Sequence, residues 1–337
     1  MIQVGILGAT GYTALELIKI LLRHPKVEII AATSRQQAGR AISSVHPSLS
    51  GRLDLSIEEN DPQVIASKAD CIFCCLPHGA SAEQAVEYLN RGKKVVDFSA
   101  DYRLHDLATY ESWYQVAHPD AERVGRVAYG LPELFEDQIV DAQLVANPGC
   151  FPTSAILALA PLLKTGRISG DSLIVDSKTG VSGGGRKPKL PFHYPECNEN
   201  VNAYNVGQHR HMPEIDEILS RFSGAEVKSI FTPHLIPMDR GILSTIYAEP
   251  VGTLEEDEAM SILKEFYQNA PFVHVVDHLP ATKHVSGTNH CHITARMVRG
   301  RLVLVSCIDN LIKGASGAAV QNMNCMYGWD QTMALLD

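Results

Sequence analysis

The first 150 residues alternate short apolar runs with stretches of helical periodicity. The apolar runs span residues 2–7, 27–33, 71–76, 94–98 and 141–146, and the helical stretches span 14–23 and 80–91. Runs that are apolar at nearly every position are typical of parallel strands, because helices cover both faces of such a sheet. The pattern therefore predicts an α/β domain built on a parallel sheet.

Beyond residue 150 the pattern changes to longer strands joined by turns. The predicted strands span residues 172–178, 229–236, 241–249, 290–298 and 302–309, and the predicted helices span 154–164, 213–222 and 255–269. Arg299 and Gly300 separate the last two strands, as a hairpin turn would. This part of the chain predicts an α+β domain with a mostly antiparallel sheet.

The composition narrows the class of protein. No run of about 18 apolar residues is present for a membrane span, and the chain begins directly with a predicted strand rather than a targeting segment. The net charge of −9, without a basic block, argues against a nucleic-acid partner. Eight cysteines stand in apolar contexts, which suits a reducing compartment better than a disulfide scaffold. We therefore expect a cytoplasmic protein that acts without membrane or nucleic acid.

A glycine motif follows the first strand directly. Gly8, Gly11 and Ala14 are spaced as in a compact dinucleotide-binding fingerprint between a strand and a helix. Gly8 would permit the tight turn, Gly11 would let a pyrophosphate approach the backbone, and Ala14 would permit close helix packing. An ordinary turn between strand and helix is the alternative. The motif predicts a Rossmann-type nucleotide domain.

The end of the second strand indicates which dinucleotide is bound. Ser34 and Arg35 stand where an NAD-specific domain usually carries Asp or Glu for the ribose 2′-hydroxyl. An arginine accommodates a 2′-phosphate instead. The pair favours NADP(H), and a solvated Arg35 in the loop is the alternative.

One cysteine stands at a predicted strand–turn–helix junction. Cys150 lies in the run VANPGCFPTS (145–154), after a Pro-Gly turn and ahead of the predicted helix. The free backbone N–H groups and the dipole at a helix N-terminus favour a thiolate, which is a nucleophile for a carbonyl group. The alternative is a small buried cysteine that only packs behind the turn.

Two histidines offer a base for such a thiol. His209 and His211 precede Pro213, which suits the first position of a helix, so we expect His211 at a helix N-terminus. The dipole there disfavours the imidazolium and leaves a ring that can accept a proton. We expect both side chains on one side of an extended segment. Capping or core roles and a His-x-His metal pair are the alternatives, and no carboxylate or cysteine partner for a metal is evident.

A glycine-rich loop offers a site for an anion. Residues 177–187 (SKTGVSGGGRK) combine hydroxyl groups and four glycines with the cations Arg186 and Lys187. Such a loop can bind an anion through backbone N–H groups, whereas a flexible surface loop would have a similar composition.

Three cysteines lie close to one another in the sequence. Cys71, Cys74 and Cys75 belong to one apolar run, which indicates core packing. We therefore predict no metal site.

A chain of 337 residues exceeds the size at which one hydrophobic core keeps growing, so two domains are expected. The small-residue-rich segment 313–324 predicts a helix that returns to the first domain. We predict an NADP-binding domain over residues 1–148, completed by a C-terminal helix over 311–337. Residues 149–310 would form the catalytic, substrate-binding and oligomerisation domain.

Five segments in order carry a family resemblance. They are 8–13 (GATGYT), 147–153 (NPGCFPT), 182–186 (SGGGR), 209–214 (HRHMPE) and 309–317 (DNLIKGASG). On these segments, and over essentially its whole length, the chain resembles the larger subtype of N-acetyl-γ-glutamyl-phosphate reductases, relatives of aspartate-semialdehyde dehydrogenase. Phe151 stands where tyrosine is more familiar, and Ala14 where glycine is frequent; neither change should disturb the site.

The resemblance implies an enzyme of arginine biosynthesis that reduces an acyl phosphate with NADPH through a thioester on Cys150. His211 is the first choice for the base and His209 the second. Cofactor contacts are implied for Gly8, Thr10, Gly11, Tyr12, Thr13, Ser34, Arg35, Pro77, Asn310, Lys313 and Ser316. Substrate and phosphate contacts are expected from Asn147, Ser182, Gly183, Arg186 and Tyr204. We expect a homodimer or homotetramer that acts on a small molecule.

Three other functions stay open at this point. A reductase of carrier-protein-linked aminoadipyl phosphate in lysine biosynthesis would keep the mechanism, but the mouth of its active site should be basic and this sequence is acidic. Aspartate-semialdehyde dehydrogenase does not usually carry the segment HRH (209–211). A non-catalytic NADP-binding sensor would need no nucleophile.

Overall fold

The computed structural model describes residues 1–336 and divides the chain into two compact units. The first unit comprises Met1–Pro148 together with the segment from Ala315 onward, and the second comprises Gly149–Gly314. The last residue of the predicted C-terminal helix, Asp337, lies outside the described residues. No helix within residues 1–336 combines the length and apolar character needed to cross a membrane.

The first unit is built on a six-stranded sheet. Its strands are β1 (Ile2–Leu7), β2 (Val27–Thr33), β3 (Cys71–Cys74), β4 (Lys94–Asp97), β5 (Ala128–Tyr129) and β6 (Leu144–Ala146). They lie in the order β2-β1-β3-β4-β6-β5, and every neighbouring pair is parallel. Its helices are α1 (Tyr12–Leu21), α2 (Ile42–Val45), α3 (Pro62–Lys68), α4 (Ala80–Leu89), α5 (Leu107–Tyr114), α6 (Pro132–Ile139) and, after the second unit in the chain, α12 (Gly317–Met326).

The second unit is built on a seven-stranded sheet. Its strands are β7 (Leu173–Thr179), β8 (Asn202–Ala203), β9 (Ser229–Leu235), β10 (Ile242–Ala248), β11 (Val273–Val275), β12 (Cys291–Val298) and β13 (Arg301–Ile308). In the order β11-β12-β13-β10-β7-β9-β8, only the pairs β7–β9 and β11–β12 are parallel among the described strands. Its helices are α7 (Cys150–Lys164), α8 (Tyr194–Cys197), α9 (Met212–Ser223), α10 (Glu256–Phe266) and α11 (Thr282–Val285). The predicted fold class, a parallel nucleotide-type sheet and a mostly antiparallel α+β unit, is confirmed.

Several predicted element ends were wrong. The strand predicted from residue 141 begins at Leu144, because Asp141 adopts the left-handed conformation with a φ of 62°. The helix predicted from residue 154 begins four residues earlier, at Cys150. The predicted C-terminal helix starts as a π-helical turn over Ile312–Ser316 and ends at Met326, two residues before Gly328, whose φ is 64°.

Helix α7 forms the core of the second unit. Every residue from Phe151 to Leu163 is buried, although Pro161 lies inside the helix and cannot donate the hydrogen bond that the carbonyl of Leu157 would receive. The hydroxyl of Tyr267 donates to that carbonyl instead, at 2.6 Å. A tertiary contact thus replaces the bond that the sequence removes.

Candidate active site

A cleft in the first unit lies at the carboxyl ends of β1, β2 and β3. Its volume is about 690 Å³. Six residues expected at the cofactor line it, namely Gly8, Thr10, Gly11, Ser34, Arg35 and Pro77. This edge of a doubly wound parallel sheet is where ligands bind.

Positions 8 and 11 of the cleft are occupied by glycine for different structural reasons. Gly8 has a φ of 77°, and a side chain there would place its Cβ only 2.4 Å from the carbonyl oxygen of Cys75. Gly11 is the N-cap of α1 and adopts an extended conformation. A Cβ at Gly11 would meet no described atom closer than 3.8 Å, so this position leaves room for a ligand at the start of the helix. Gly8 is required by the turn, and Gly11 keeps the approach open.

The far end of the cleft carries the groups that would distinguish cofactors. Arg35 is exposed and lies two residues after the end of β2. Three polar residues that the sequence analysis missed, Glu59, Asn60 and Gln84, also line the cleft. Asn60 donates to Oε1 of Gln84 and accepts from the hydroxyl of Tyr88, both at 2.5 Å. Nothing in the local sequence marks these residues, because the fold brings them to the cleft from separate loops and helices.

The remaining residues expected at the cofactor lie outside that lining. Tyr12 is exposed at the start of α1, and the carbonyl of Thr13 accepts a hydrogen bond of 2.8 Å from the hydroxyl of Ser316. Asn310 and Lys313 belong to the second unit and are buried there. Lys313 places its Nζ 5.6 Å from the ring centre of Phe272.

Cys150 is the first residue of α7 and is partly exposed. Gly149 caps the helix, and its N–H donates a hydrogen bond of 2.8 Å to the carboxylate of Glu214, which is itself buried. Gly314 packs directly against Cys150, since a Cβ on this glycine would lie 2.8 Å from the Cβ of the cysteine. The thiol therefore stands at the N-terminus of a 15-residue helix, with a fixed backbone on both sides.

His209 and His211 lie together with the start of this helix. Their ring centres are 4.9 Å apart, and those of Phe151 and the two histidines are 5.6 and 5.9 Å apart respectively. His211 is the N-cap of α9, as the position of Pro213 predicted. The expected extended segment was wrong: the two histidines lie in successive turns, where the N–H of His211 donates to Nδ1 of His209 at 3.1 Å.

Burial keeps the polar groups around the thiol neutral. Burial, with a smaller contribution from the charge of Arg210, lowers the pKa of His209 to about 4. Burial and the charge that Cys150 can carry raise the pKa of the Tyr204 hydroxyl well above its usual range. An imidazole and a phenol without charge therefore adjoin the thiol near pH 7.

The other cysteines differ from Cys150 in their surroundings. Burial raises the pKa of both Cys71 and Cys307 to about 12, and it raises those of Cys74 and Cys75 well above the usual range of a thiol. Thiols of this kind are inert as nucleophiles. The cysteines predicted to be core residues are therefore chemically distinct from the thiol at the helix start.

The residues expected at substrate and phosphate fall into two groups. Ser182 is buried in a short 3₁₀ turn, where its hydroxyl donates to the carbonyl of Asp239 at 2.6 Å and accepts from Asn310 at 3.0 Å. Asn147, in the first unit, is also buried and donates to the carbonyl of Ala315 at 3.0 Å. Their side chains are committed to holding the backbone. Gly183, Arg186 and Lys187 are exposed, and Tyr204 is half-buried.

Three residues that contribute to the second unit's site were not singled out from the sequence. They are Glu214, which holds the turn before Cys150, Gly314, which allows the close approach to it, and Arg240. The guanidinium of Arg240 lies 3.5 Å from the buried carboxylate of Asp309. Glu214 and Gly314 belong to the quoted segments 209–214 and 309–317, so those segments carried a signal whose physical reason only the structure shows.

Known proteins match the chain over nearly its whole length. The models for the semialdehyde dehydrogenase NAD binding domain and dimerisation domain match residues 3–142 and 150–310. An N-acetyl-gamma-glutamyl-phosphate reductase of Rhodopirellula baltica is 55% identical, over 99% of this chain and 98% of its own length. The reductase of Desulforudis audaxviator is 49% identical, over 100% of this chain and 98% of its own length.

Solved structures agree on the fold. An aspartate semialdehyde dehydrogenase with NADP from Candida albicans matches with a TM-score of 0.75 at 17% identity, over 96% of this chain and 98% of its own. Another from Vibrio cholerae matches with a TM-score of 0.73 at 15% identity, again over 96% and 98%. With relatives near half identity along its full length, the chain belongs to the N-acetyl-γ-glutamyl-phosphate reductase family, within the semialdehyde dehydrogenases.

Proposed function

We propose that the chain reduces N-acetyl-γ-glutamyl phosphate to N-acetylglutamate 5-semialdehyde and phosphate with NADPH, in arginine biosynthesis. The observation that carries the proposal is the placement of Cys150 at the start of α7 beside two histidines. The 55% identity to the Rhodopirellula reductase supports the choice of substrate. A sensor without catalysis would not need a nucleophile and a base in one place.

The first half of the reaction forms a thioester on Cys150. A histidine accepts the thiol proton, and the sulfur attacks the acyl carbon of the substrate. The backbone N–H of Cys150 stabilises the negative charge that develops on the carbonyl oxygen. The bond between the acyl carbon and the phosphate oxygen then breaks, and the departing phosphate takes its electron pair and the proton from the imidazolium.

The second half releases the aldehyde from Cys150. NADPH supplies a hydride to the thioester carbon when it is bound. The chain's own contribution is to stabilise the resulting oxyanion through the same N–H group and to accept the electron pair of the C–S bond as a thiolate. The helix N-terminus favours that thiolate as a leaving group. Protonation from solvent returns the thiol, so one proton is consumed in each turnover.

We assign the base to His211 first and to His209 second. His211 caps α9 while the ring of Phe151 adjoins both histidines. Tyr204, Gly183 and Arg186 are the proposed contacts to substrate and phosphate. Ser182 contributes by bonding to the backbone at Asp239, which holds the turn that carries Gly183. Asn147 holds the backbone of the first unit at Ala315.

The first unit, with its cleft, is the proposed NADP(H) site. The open N-terminus of α1 suits a pyrophosphate, and Arg35 suits the 2′-phosphate. Thr10 and Pro77 line the same cleft. Tyr12 and Thr13 at the start of α1, and Ser316, which donates to the carbonyl of Thr13, are further proposed contacts. Asn310 and Lys313 are proposed as cofactor contacts on the family resemblance alone. The second unit is the proposed catalytic and substrate-binding domain.

We also propose that the chain forms a homodimer or homotetramer and is located in the cytoplasm. Apolar side chains on the seven-stranded sheet are exposed, including Ile174 (40%), Ile230 (62%) and Tyr247 (40%). A second copy that covers this face would remove them from water. The description of the matching family model as a dimerisation domain supports this choice. All eight cysteines are free, as in a reducing compartment.

The reverse reaction tests the substrate. NADP⁺ reduction is followed with N-acetylglutamate semialdehyde and phosphate, and then with aspartate semialdehyde or a carrier-linked aminoadipate semialdehyde in its place. We expect the N-acetylated substrate to have the highest kcat/KM. A higher value for either of the other two aldehydes would assign the chain to that reaction instead.

A further inference from the structure

Five histidines cluster at one edge of the seven-stranded sheet, and the proposed mechanism uses none of them. They belong to the edge strand β11, the loop after it, helix α11 and the start of β12, as His274, His278, His284, His290 and His292. Parallel pairing of β11 with β12 places His274 opposite His292. The fold therefore collects in one place residues that are up to 18 positions apart in sequence.

Three of the five approach one another as metal ligands do. One ring nitrogen from each of His278, His284 and His292 lies within 4.8 Å of the others. The corresponding ring centres are 5.2, 6.2 and 6.4 Å apart. Three imidazoles around a tetrahedral Zn²⁺ stand about 3.4 Å apart at their ligating nitrogens. His278 and His284 are exposed and can rotate to close the difference.

The other two histidines form a hydrogen bond with each other. His274 and His290 share a hydrogen bond of 2.8 Å between their rings. By contrast, Nδ1 of His292 is buried and has no hydrogen-bond partner within residues 1–336. A buried nitrogen without a partner costs free energy that a bound cation would recover.

The type of donor also favours a metal ion at this place. A neutral imidazole is the form that binds a metal ion. His284 gives up one weak exposed bond on binding, because its Nδ1 accepts from the N–H of Ala281 at 3.2 Å.

We propose that His278, His284 and His292 bind one divalent transition-metal ion of the Zn²⁺ class, with a water molecule in the remaining position. Imidazole ligands suit Zn²⁺, Ni²⁺ and Cu²⁺ and do not suit Mg²⁺ or Ca²⁺. The ion would join α11 to β12. The segment between them includes Gly287, whose N–H donates to the buried carboxylate of Asp309 at 2.7 Å.

Zinc binding to the purified full-length chain tests the proposal. Equilibrium dialysis gives the number of bound ions and their affinity for the wild type, His278→Gln, His284→Gln and Cys150→Ser. His193→Gln is the matched control, because His193 is exposed and lies outside the cluster. The Cys150→Ser variant separates this site from zinc captured by the proposed catalytic thiol. The electronic spectrum of the Co²⁺-loaded protein shows whether a thiolate is a ligand.

The wild type, His193→Gln and Cys150→Ser should each bind one zinc ion per chain with the same affinity. The cobalt spectrum of Cys150→Ser should show no thiolate band. His278→Gln and His284→Gln should each weaken that equivalent by at least about tenfold, since even second-layer changes at metal sites cost about that much. Circular dichroism of these exposed-site variants controls for folding. Unchanged affinity in both variants, or loss of the equivalent in Cys150→Ser alone, would overturn the proposal.

Discussion

At the scale of single residues, the proposed mechanism requires that one of the two histidines beside Cys150 accept the thiol proton. A base must be unprotonated, so activity falls below its pKa. Since the pKa of His209 lies at about 4, a His209 base would keep kcat/KM level down to that pH. An acid limb at a higher pH would have to come from another group, and His211 is the candidate.

We predict that His211→Asn lowers kcat by about 10²–10⁴ with little change in NADPH affinity. The acid limb of the pH profile should disappear or move in this variant. His209→Asn, the control for a change in the same cluster, should act mainly on KM. The two roles must be exchanged if His209→Asn proves the more damaging to kcat and the acid limb stays in His211→Asn. Steady-state kinetics over a pH series with both variants measures this.

Arg35 is the residue that we propose to determine the choice of cofactor. We predict that Arg35→Ala weakens NADPH binding by roughly one to two decades and leaves NADH binding nearly unchanged. The loss is that of one charge-assisted contact to a phosphate, about 1.5–3 kcal/mol. Fluorescence titration with both cofactors measures it. Equal weakening of NADPH and NADH would show that Arg35 does not contact the 2′-phosphate.

At the scale of elements, the sequence predicted the longer helices and most strands, but it missed the helices of eight residues or fewer and the start of α7. The segment NPGCFPT (147–153) contains two prolines and reads as a turn, yet Pro152 lies in the first helical turn, where no N–H is needed. The structure therefore begins the helix at Cys150 itself. The bond from Gly149 to Glu214 spans 65 residues, so no local pattern could have indicated it.

The stability that α7 gains from the hydrogen bond between Tyr267 and the carbonyl of Leu157 can be measured. We predict that Tyr267→Phe destabilises the protein by about 1–3 kcal/mol, because it leaves the carbonyl of Leu157 buried without a partner. In a Pro161→Ala background the restored N–H can donate to that carbonyl, so the same change should cost much less. Denaturant unfolding of the four proteins of this cycle gives the coupling. Equal costs in both backgrounds would contradict the explanation.

At the scale of the whole molecule, strand direction in the two sheets was predictable and strand order was not. Continuous apolar runs indicated parallel strands, and Arg299-Gly300 gave the hairpin, where both residues have positive φ. The orders β2-β1-β3-β4-β6-β5 and β11-β12-β13-β10-β7-β9-β8 depend on long-range pairing. The same holds for the histidine cluster, whose members come from separate positions along the sequence.

Asp97 gives the stability of the molecule a pH dependence. Burial, followed by repulsion from Asp101, raises its pKa from 3.8 to about 6. Because the pKa is higher in the folded state, the protonated Asp97 contributes to the free energy of unfolding. This contribution is fully present below pH 3.8 and is lost as the pH rises through 6. The side chain of an Asp97→Asn variant cannot ionise. Its Oδ1 can still accept the hydrogen bonds that the Ser81 hydroxyl and the Ser99 N–H donate to Oδ1 of Asp97.

We therefore predict that Asp97→Asn gains stability relative to the wild type as the pH rises from about 4 to about 7. The gain should amount to at most about 3 kcal/mol. Urea unfolding of both proteins across that pH range measures the difference. A stability difference that does not change with pH would show that Asp97 keeps its ordinary pKa in the folded protein.

A burst experiment without phosphate tests whether Cys150 carries the acyl group during the reaction. N-acetylglutamate semialdehyde and NADP⁺ are mixed with the enzyme, NADPH formation is followed, and the peptide that contains Cys150 is weighed after quenching. The account predicts about one NADPH per active site, an N-acetylglutamyl thioester on Cys150, and continued turnover only when phosphate is added. Cys150→Ala should show neither burst nor adduct. A burst with no adduct on Cys150, or turnover in the alanine variant, would contradict the covalent mechanism.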